Sequence, residues 1–158
     1  MLMLLLVICK MVCSHKIGIT RLDAEGLTYF TEMPPTGRYY ILVFASNDLL
    51  DQSGTSQSAL QSSVDILQKF PKGTVTPIVM HPLTSRFEWT DLPAGVKTFA
   101  EMRTYGVSKK EDVYQVLGVS KDDGVVAVVR PDGYVGMMAP LSKTRDVEDY
   151  LRGCLVTI

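Results

Sequence analysis

Gly124-Val-Val-Ala-Val-Val-Arg-Pro-Asp-Gly-Tyr-Val-Gly136 is the stretch that decides the fold class. The five small apolar residues Val125 to Val129 predict a strand covered on both faces, because a strand with one wet face alternates apolar with polar. Arg130 leads into a turn. Pro131 presets φ at the first corner, Asp132 suits the second, and Gly133 supplies the left-handed residue that lets a second strand, Tyr134 to Met138, run back antiparallel. Such a buried hairpin is a structural element and brings no catalytic group of its own.

Upstream, Arg38-Tyr-Tyr-Ile-Leu-Val-Phe-Ala45 is aromatic, β-branched and apolar for most of its length, as a central strand should be. Before it, Ile17 to Leu22 and Leu27 to Phe30 are short apolar segments around a turn at Asp23-Ala-Glu-Gly26, and Met33-Pro-Pro-Thr-Gly37 breaks the chain. After it, Thr55 or Ser56 is placed to cap a helix with Leu60, Val64 and Leu67 on one face and Phe70 near its edge, ended by Pro71-Lys-Gly73. Thr74 to Met80 predicts the next strand, and Pro77 directs it to a sheet edge or a bulge. From His81 to Val107 the pattern gives loops and an insertion, with one short helix around Phe99 to Tyr105. Ser108-x-x-Glu111 has capping-box spacing ahead of Val113, Val116 and Leu117, with Gly118 as the stop. Downstream of the hairpin, Thr144 is expected to cap a last helix carrying Val147, Tyr150, Leu151 and Cys154 at i, i+3, i+4 and i+7. The order strand, helix, strand, helix, hairpin, helix resembles a thioredoxin-like α/β layer, a central mixed sheet with flanking helices and a C-terminal hairpin plus helix.

The chain has 158 residues, enough for one ordinary core. With 46% hydrophobic and 21% charged residues it has the balance of a soluble, folded protein. A net charge of −1 without a Lys/Arg cluster gives no footprint for nucleic acid or an anionic membrane. Cys9, Cys13 and Cys154 are too few, and odd in number, for a disulfide scaffold, which points to a reducing compartment and a cytoplasmic location. Residues 1–14 form an apolar leader, short of the roughly 20 residues that span a bilayer. It has the length of a signal-peptide core without the positive residues before it or a good cleavage site, so secretion stays an alternative. An extra strand, or a start codon upstream of the one used with Met11 as the alternative, are the others.

Two blocks, Gly37-Arg-Tyr-Tyr-Ile-Leu-Val-Phe-Ala45 and Leu117-Gly-Val-Ser-Lys-Asp-Asp-Gly-Val-Val-Ala-Val-Val-Arg-Pro-Asp-Gly-Tyr-Val-Gly136, resemble the C-terminal thioredoxin-like domain of fungal phenol 2-monooxygenases and related FAD-dependent aromatic hydroxylases. The resemblance runs from about His15 to the C-terminus, so residues 15–158 form the expected domain. It implies a non-catalytic dimerisation module. Its expected partner is a second copy or an FAD-dependent hydroxylase, and the chain is either a stand-alone accessory protein or part of a longer monooxygenase. The flavin site itself is not written in this sequence. A dinucleotide needs closely spaced glycines at a strand-to-helix turn, and the chain contains no G-x-G. Reductases of the thioredoxin fold need a low-pKa thiol at the helix N-terminus after the first core strand, where this chain has Ser46-Asn-Asp-Leu49. No cofactor is expected.

The other chemistry-bearing residues are sparse. Cys9-x-x-x-Cys13 does not match the usual metal-ligand spacing, so no metal is expected. Cys154, on an apolar helical face, is expected in the core. His81 and His15 are conceivable general bases without a visible partner, and His81 is the better placed, at a strand end. These residues give the alternative reading, a small divergent enzyme using the cleft of the fold. Arg86-Phe-Glu-Trp89 offers an aromatic and charged surface, and Phe87, Trp89 and Phe99 are the candidate interface residues. The competing reading, and the favoured one for Trp89, is that it packs the insertion onto the sheet. Asp122 and Asp123, ahead of Gly124, suit a turn rather than an acid/base pair.

Overall fold

The computed structural model describes residues 18–21, 27–29, 37–84, 87–100, 103–108 and 111–156. The leader, Cys9, Cys13, His15, Arg86 and the turn at 23–26 lie outside the described residues. The strands are β1 (Gly18–Arg21), β2 (Leu27–Tyr29), β3 (Tyr39–Phe44), β4 (Val75–His81), β5 (Thr104–Val107), β6 (Val125–Val129) and β7 (Val135–Ala139). The helices are α1 (Thr55–Leu67), α2 (Ala94–Ala100), α3 (Val113–Leu117) and α4 (Thr144–Cys154). The strands make one mixed sheet in the order β2-β1-β5-β4-β3-β6-β7. Within it β3, β4 and β5 are parallel, and the other pairings are antiparallel.

Alternate residues of the strands sort into two cores. Ile41, Val43, Val79, Val126 and Val128 share one with α1, α2 and α4. Their neighbours Leu42, Phe44, Ile78, Met80, Ala127 and Val129 share the other with α3. Both faces of the central strands are covered, which is why Val125–Val129 shows no polar alternation. The hairpin turn forms as expected. Gly133 has φ +84°, its N–H donates to the Arg130 carbonyl at 2.9 Å, and the Arg130 N–H donates to the Tyr134 carbonyl at 2.8 Å. The returning strand begins at Val135, and its register with β6 shifts between Val128 and Val129, leaving Gly136 as the extra residue of a bulge.

Several expectations are corrected. Pro77 does not put β4 at an edge, because β4 pairs with both β3 and β5 in the middle of the sheet. The proline is tolerated because β5 pairs only with Val79 to His81. The Val79 N–H donates to the Arg103 carbonyl, so the missing donor two residues earlier points to the same side, where no strand pairs. There the Arg103 side chain donates to the Pro77 carbonyl at 3.0 Å. The segment after His81 is not an insertion of loops. It holds a 3-10 turn at Trp89–Asp91, then α2, then β5. The helix therefore lies earlier than Phe99 to Tyr105, and Thr104–Val107 is a strand.

The caps also differ. Neither Thr55 nor Ser56 caps α1, whose N-cap is Gly54 without a side-chain bond. Ser108 and Glu111 bond each other ahead of α3, whereas the cap is Asp112, accepting from the Tyr114 and Gln115 N–H groups. The buried face of α3 is Val113, Tyr114 and Leu117, with Val116 half-buried. Thr144 is the first residue of α4, which continues directly from a 3-10 turn at Leu141–Lys143. Cys154 is exposed, because α4 ends there and the chain leaves the helix at Leu155.

Candidate functional site

The carboxyl ends of β3 and β4, where ligands of open α/β sheets commonly bind, are closed by hydrogen bonds. Beyond β3, Ser46 and Ser56 are buried with hydroxyls 2.9 Å apart, and the Ser46 hydroxyl donates to Asp48 at 2.5 Å. The other Asp48 oxygen accepts the Thr55 N–H at 2.6 Å. Asp48 thus supplies from outside the helix the acceptor that a helix N-terminus requires. Its carboxyl lies below the usual range: burial acts to raise it, but the bonds from Ser46, Ser56 and Thr55 outweigh that. The place where a redox thiol would stand is thus occupied by a serine whose hydroxyl is engaged twice.

From the opposite face Tyr114, fully buried and edge-on to Phe44 at 5.6 Å, brings its hydroxyl to the Ala45 carbonyl (2.7 Å) and the Met80 carbonyl (2.8 Å). Burial, with Asp112 as a smaller cause, keeps the phenol protonated. Beside it, His81 is 5% exposed and lies edge-on to Phe87 at 5.0 Å. A Cβ on Gly106 would sit 2.6 Å from His81 Cε1, so the residue paired with His81 on β5 has to be glycine. Burial lowers the His81 pKa to about 4, against a smaller opposing effect of the Leu83 backbone. At neutral pH it is an uncharged, buried ring. Its Nδ1, with Gln57 Oε1 and Thr104 Oγ1, is buried without a hydrogen bond.

Of the candidate interface residues, Phe99 is 1% exposed and belongs to the core, because α2 lies on the sheet with Val96, Phe99 and Ala100 turned inward. Phe87 and Trp89 are half-buried and pack against that same core. Asp122 and Asp123 lie in a turn: their N–H groups reach the Ser120 hydroxyl, and Asn47 donates to Asp122. Among the described residues no three His, Cys, Asp or Glu side chains gather as metal ligands. Between α1 and α4 lies an open polar cleft of ≈ 580 Å³, in which Glu148 meets both Lys69 and Arg152.

The other distinctive surface lies at the β7 end of the sheet. Met137 is half-buried on the α4 side and Met138 on the α3 side. Tyr134, at the hairpin, is 50% exposed. The α4 residue Tyr150 lies over Gly136 so closely that a Cβ there would be 2.1 Å from its hydroxyl. Sequence reasoning passed over Asp48, Tyr114 and this pair. Asp48 caps a helix that starts seven residues later, and the other contacts join distant segments, so no local spacing marks them.

Comparison with known proteins gives a consistent answer. A model of the phenol hydroxylase C-terminal dimerisation domain matches residues 72–158. The flavin-dependent oxygenase ucdD of Aspergillus ustus is 31% identical over 150 residues, 85% of this chain and 22% of that protein. The phenol 2-monooxygenase fsqG of Aspergillus fumigatus is 42% identical over 41 residues, 26% of this chain and 7% of its own length. The chain therefore spans about a fifth or less of the curated relatives it matches. Among solved structures, copper-bound ScoI of Arabidopsis thaliana superposes with TM-score 0.62 at 16% identity, over 89% of this chain and 99% of that one. The thioredoxin domain of a thiol-disulfide oxidoreductase from Bacteroides vulgatus gives 0.62 at 11% identity, over 91% and 96%. At such identities the structures establish a thioredoxin-like fold and nothing further.

Proposed function

The chain belongs to the phenol hydroxylase C-terminal dimerisation domain family, and from that premise we propose that it works by contact, holding together copies of itself or of an FAD-dependent aromatic hydroxylase, without chemistry of its own. The observation that carries this reading is the closed β3 and β4 end. Ser46, Asp48 and Ser56 engage one another, with Asp48 also accepting the Thr55 N–H at the start of α1, Tyr114 is bound to the strand-end carbonyls, and His81 is buried and uncharged. A general base has to reach a substrate proton, and a buried ring held edge-on against Phe87 is poorly placed to do so. The absence of any G-x-G supports the same reading for flavin.

The relatives, a flavin-dependent oxygenase and a phenol 2-monooxygenase, are several times longer, so the hydroxylase partner is a proposal in two forms. The chain is either the terminal part of such an enzyme or a separate accessory subunit. One binding experiment and the sequence of the transcript separate them. Against a hydroxylase lacking its own C-terminal domain, an accessory subunit binds in trans and restores the dimer. A chain that is a terminal part is instead found joined to flavin domains in its transcript. Failure in both tests, with catalytic turnover by the purified chain, would put the small-enzyme alternative in its place.

A further inference from the structure

We propose that β7 is the contact between copies: two chains pair β7 antiparallel across a two-fold axis and join their sheets edge to edge. This rests on the dimerisation reading and names the surface that serves it. β7 ends the strand order, and among the described residues only β6 pairs with it. In an antiparallel ladder each strand uses one side, so alternate N–H and C=O groups of Val135–Ala139 point away from β6. Edge strands are ordinarily guarded by charge, proline, a bulge or extreme shortness, and the bulge of β7 lies at Gly136, next to its start, leaving Met137 to Ala139 regular. Val135-Gly-Met-Met-Ala139 contains neither a charge nor a proline. The opposite edge, β2, is three residues long against five for β7.

The occupant follows from symmetry as well as from the family. A strand paired antiparallel with its own copy makes an isologous contact, the same patch on both partners, which closes at two and leaves no free edge on that side. The side chains fit this role. Met137 and Met138 flank the edge on opposite faces and are half-buried within one chain, so a partner strand would complete their burial. Thioethers adapt readily to such a repacked contact. The exposed ring of Tyr134 beside the strand adds the kind of aromatic area that interfaces favour.

The test uses the full chain. Light scattering over a concentration series gives the dimer constant, and amide exchange followed residue by residue gives the surface. The proposal expects protection of alternate β7 amides to rise with the dimer fraction while β2 amides stay constant. Met137→Lys and Met138→Lys put like charges across the two-fold and should weaken the dimer by about tenfold or more, while Val116→Lys on α3 should not. A wild-type dimer whose β7 exchange ignores concentration, and which survives both methionine variants, would overturn the edge contact and leave the dimerisation reading standing. A wild-type chain that never dimerises overturns both. Should a lysine variant fail to fold, the wild-type exchange pattern still decides.

Discussion

His81 should give the protein an acid-sensitive stability that one substitution removes. Its ring is 5% exposed and its pKa is lowered from 6.5 to about 4 by burial. The unfolded chain therefore binds a proton between those values that the folded chain refuses. The stabilisation is complete above the unfolded pKa of 6.5, declines as pH falls, and is exhausted below about 4. A gap of about 2.5 between the two pKa values corresponds to about 3 kcal/mol over that window. The carboxylates of Asp48, Asp112 and Glu148 are all held below their ordinary range, so their losses fall mainly below that window. His81→Phe keeps an edge-on ring against Phe87 and cannot titrate. The larger ring will press on Gly106 and shift the stability curve vertically, but it should flatten the slope between pH 6.5 and 4.5. Urea unfolding at half-unit pH intervals, followed by Trp89 fluorescence, measures this. Equal slopes in wild type and His81→Phe, or an NMR titration placing the His81 pKa near 6.5, would mean that burial does not hold this ring neutral.

Three further outcomes are expected. Gly133→Val places a β-branched residue at φ +84° and should lower the urea-derived stability by about 1–3 kcal/mol, whereas an unchanged midpoint would mean the turn is wrongly described. Asp48→Ala removes the acceptor of the Thr55 N–H and of the Ser46 hydroxyl. It should cost about 1–2 kcal/mol and speed amide exchange in the first turn of α1, with an unaltered exchange rate there counting against the cap. Tyr114→Phe leaves the Ala45 carbonyl without its phenol donor and should cost about 1–3 kcal/mol by thermal unfolding; a neutral effect would mean another donor takes the phenol's place.

The legible parts of this fold were those with a local cause. Val125–Val129, Pro131 and Gly133 specify the hairpin within thirteen residues, and Tyr39–Phe44 is apolar because both of its faces are covered. β5 escaped because Thr104-Tyr-Gly-Val107 has no apolar run. Its Gly106 is set by the His81 ring across the strand pair, a constraint invisible until the two strands are known to be neighbours. Pro77 misled because the rule excluding proline from central strands concerns individual ladder bonds, and the ladder to β5 begins two residues later. Cys154 misled because helical spacing assigns a face without saying where along α4 the underlying sheet stops. At the candidate site the missing thiol could be read directly from Ser46. Asp48 and Tyr114 close the same end through contacts that span seven residues, to Thr55, and sixty-nine, to Ala45.

If the domain works by associating, its mass in solution depends on concentration or on a partner. Sedimentation equilibrium of the full chain over a wide concentration range tests it most directly. A reversible approach to twice the 17.5 kDa chain mass is expected, or, for the accessory form, a stoichiometric complex with a flavin-dependent hydroxylase. A chain that stays at its monomer mass throughout and binds no such hydroxylase would contradict it.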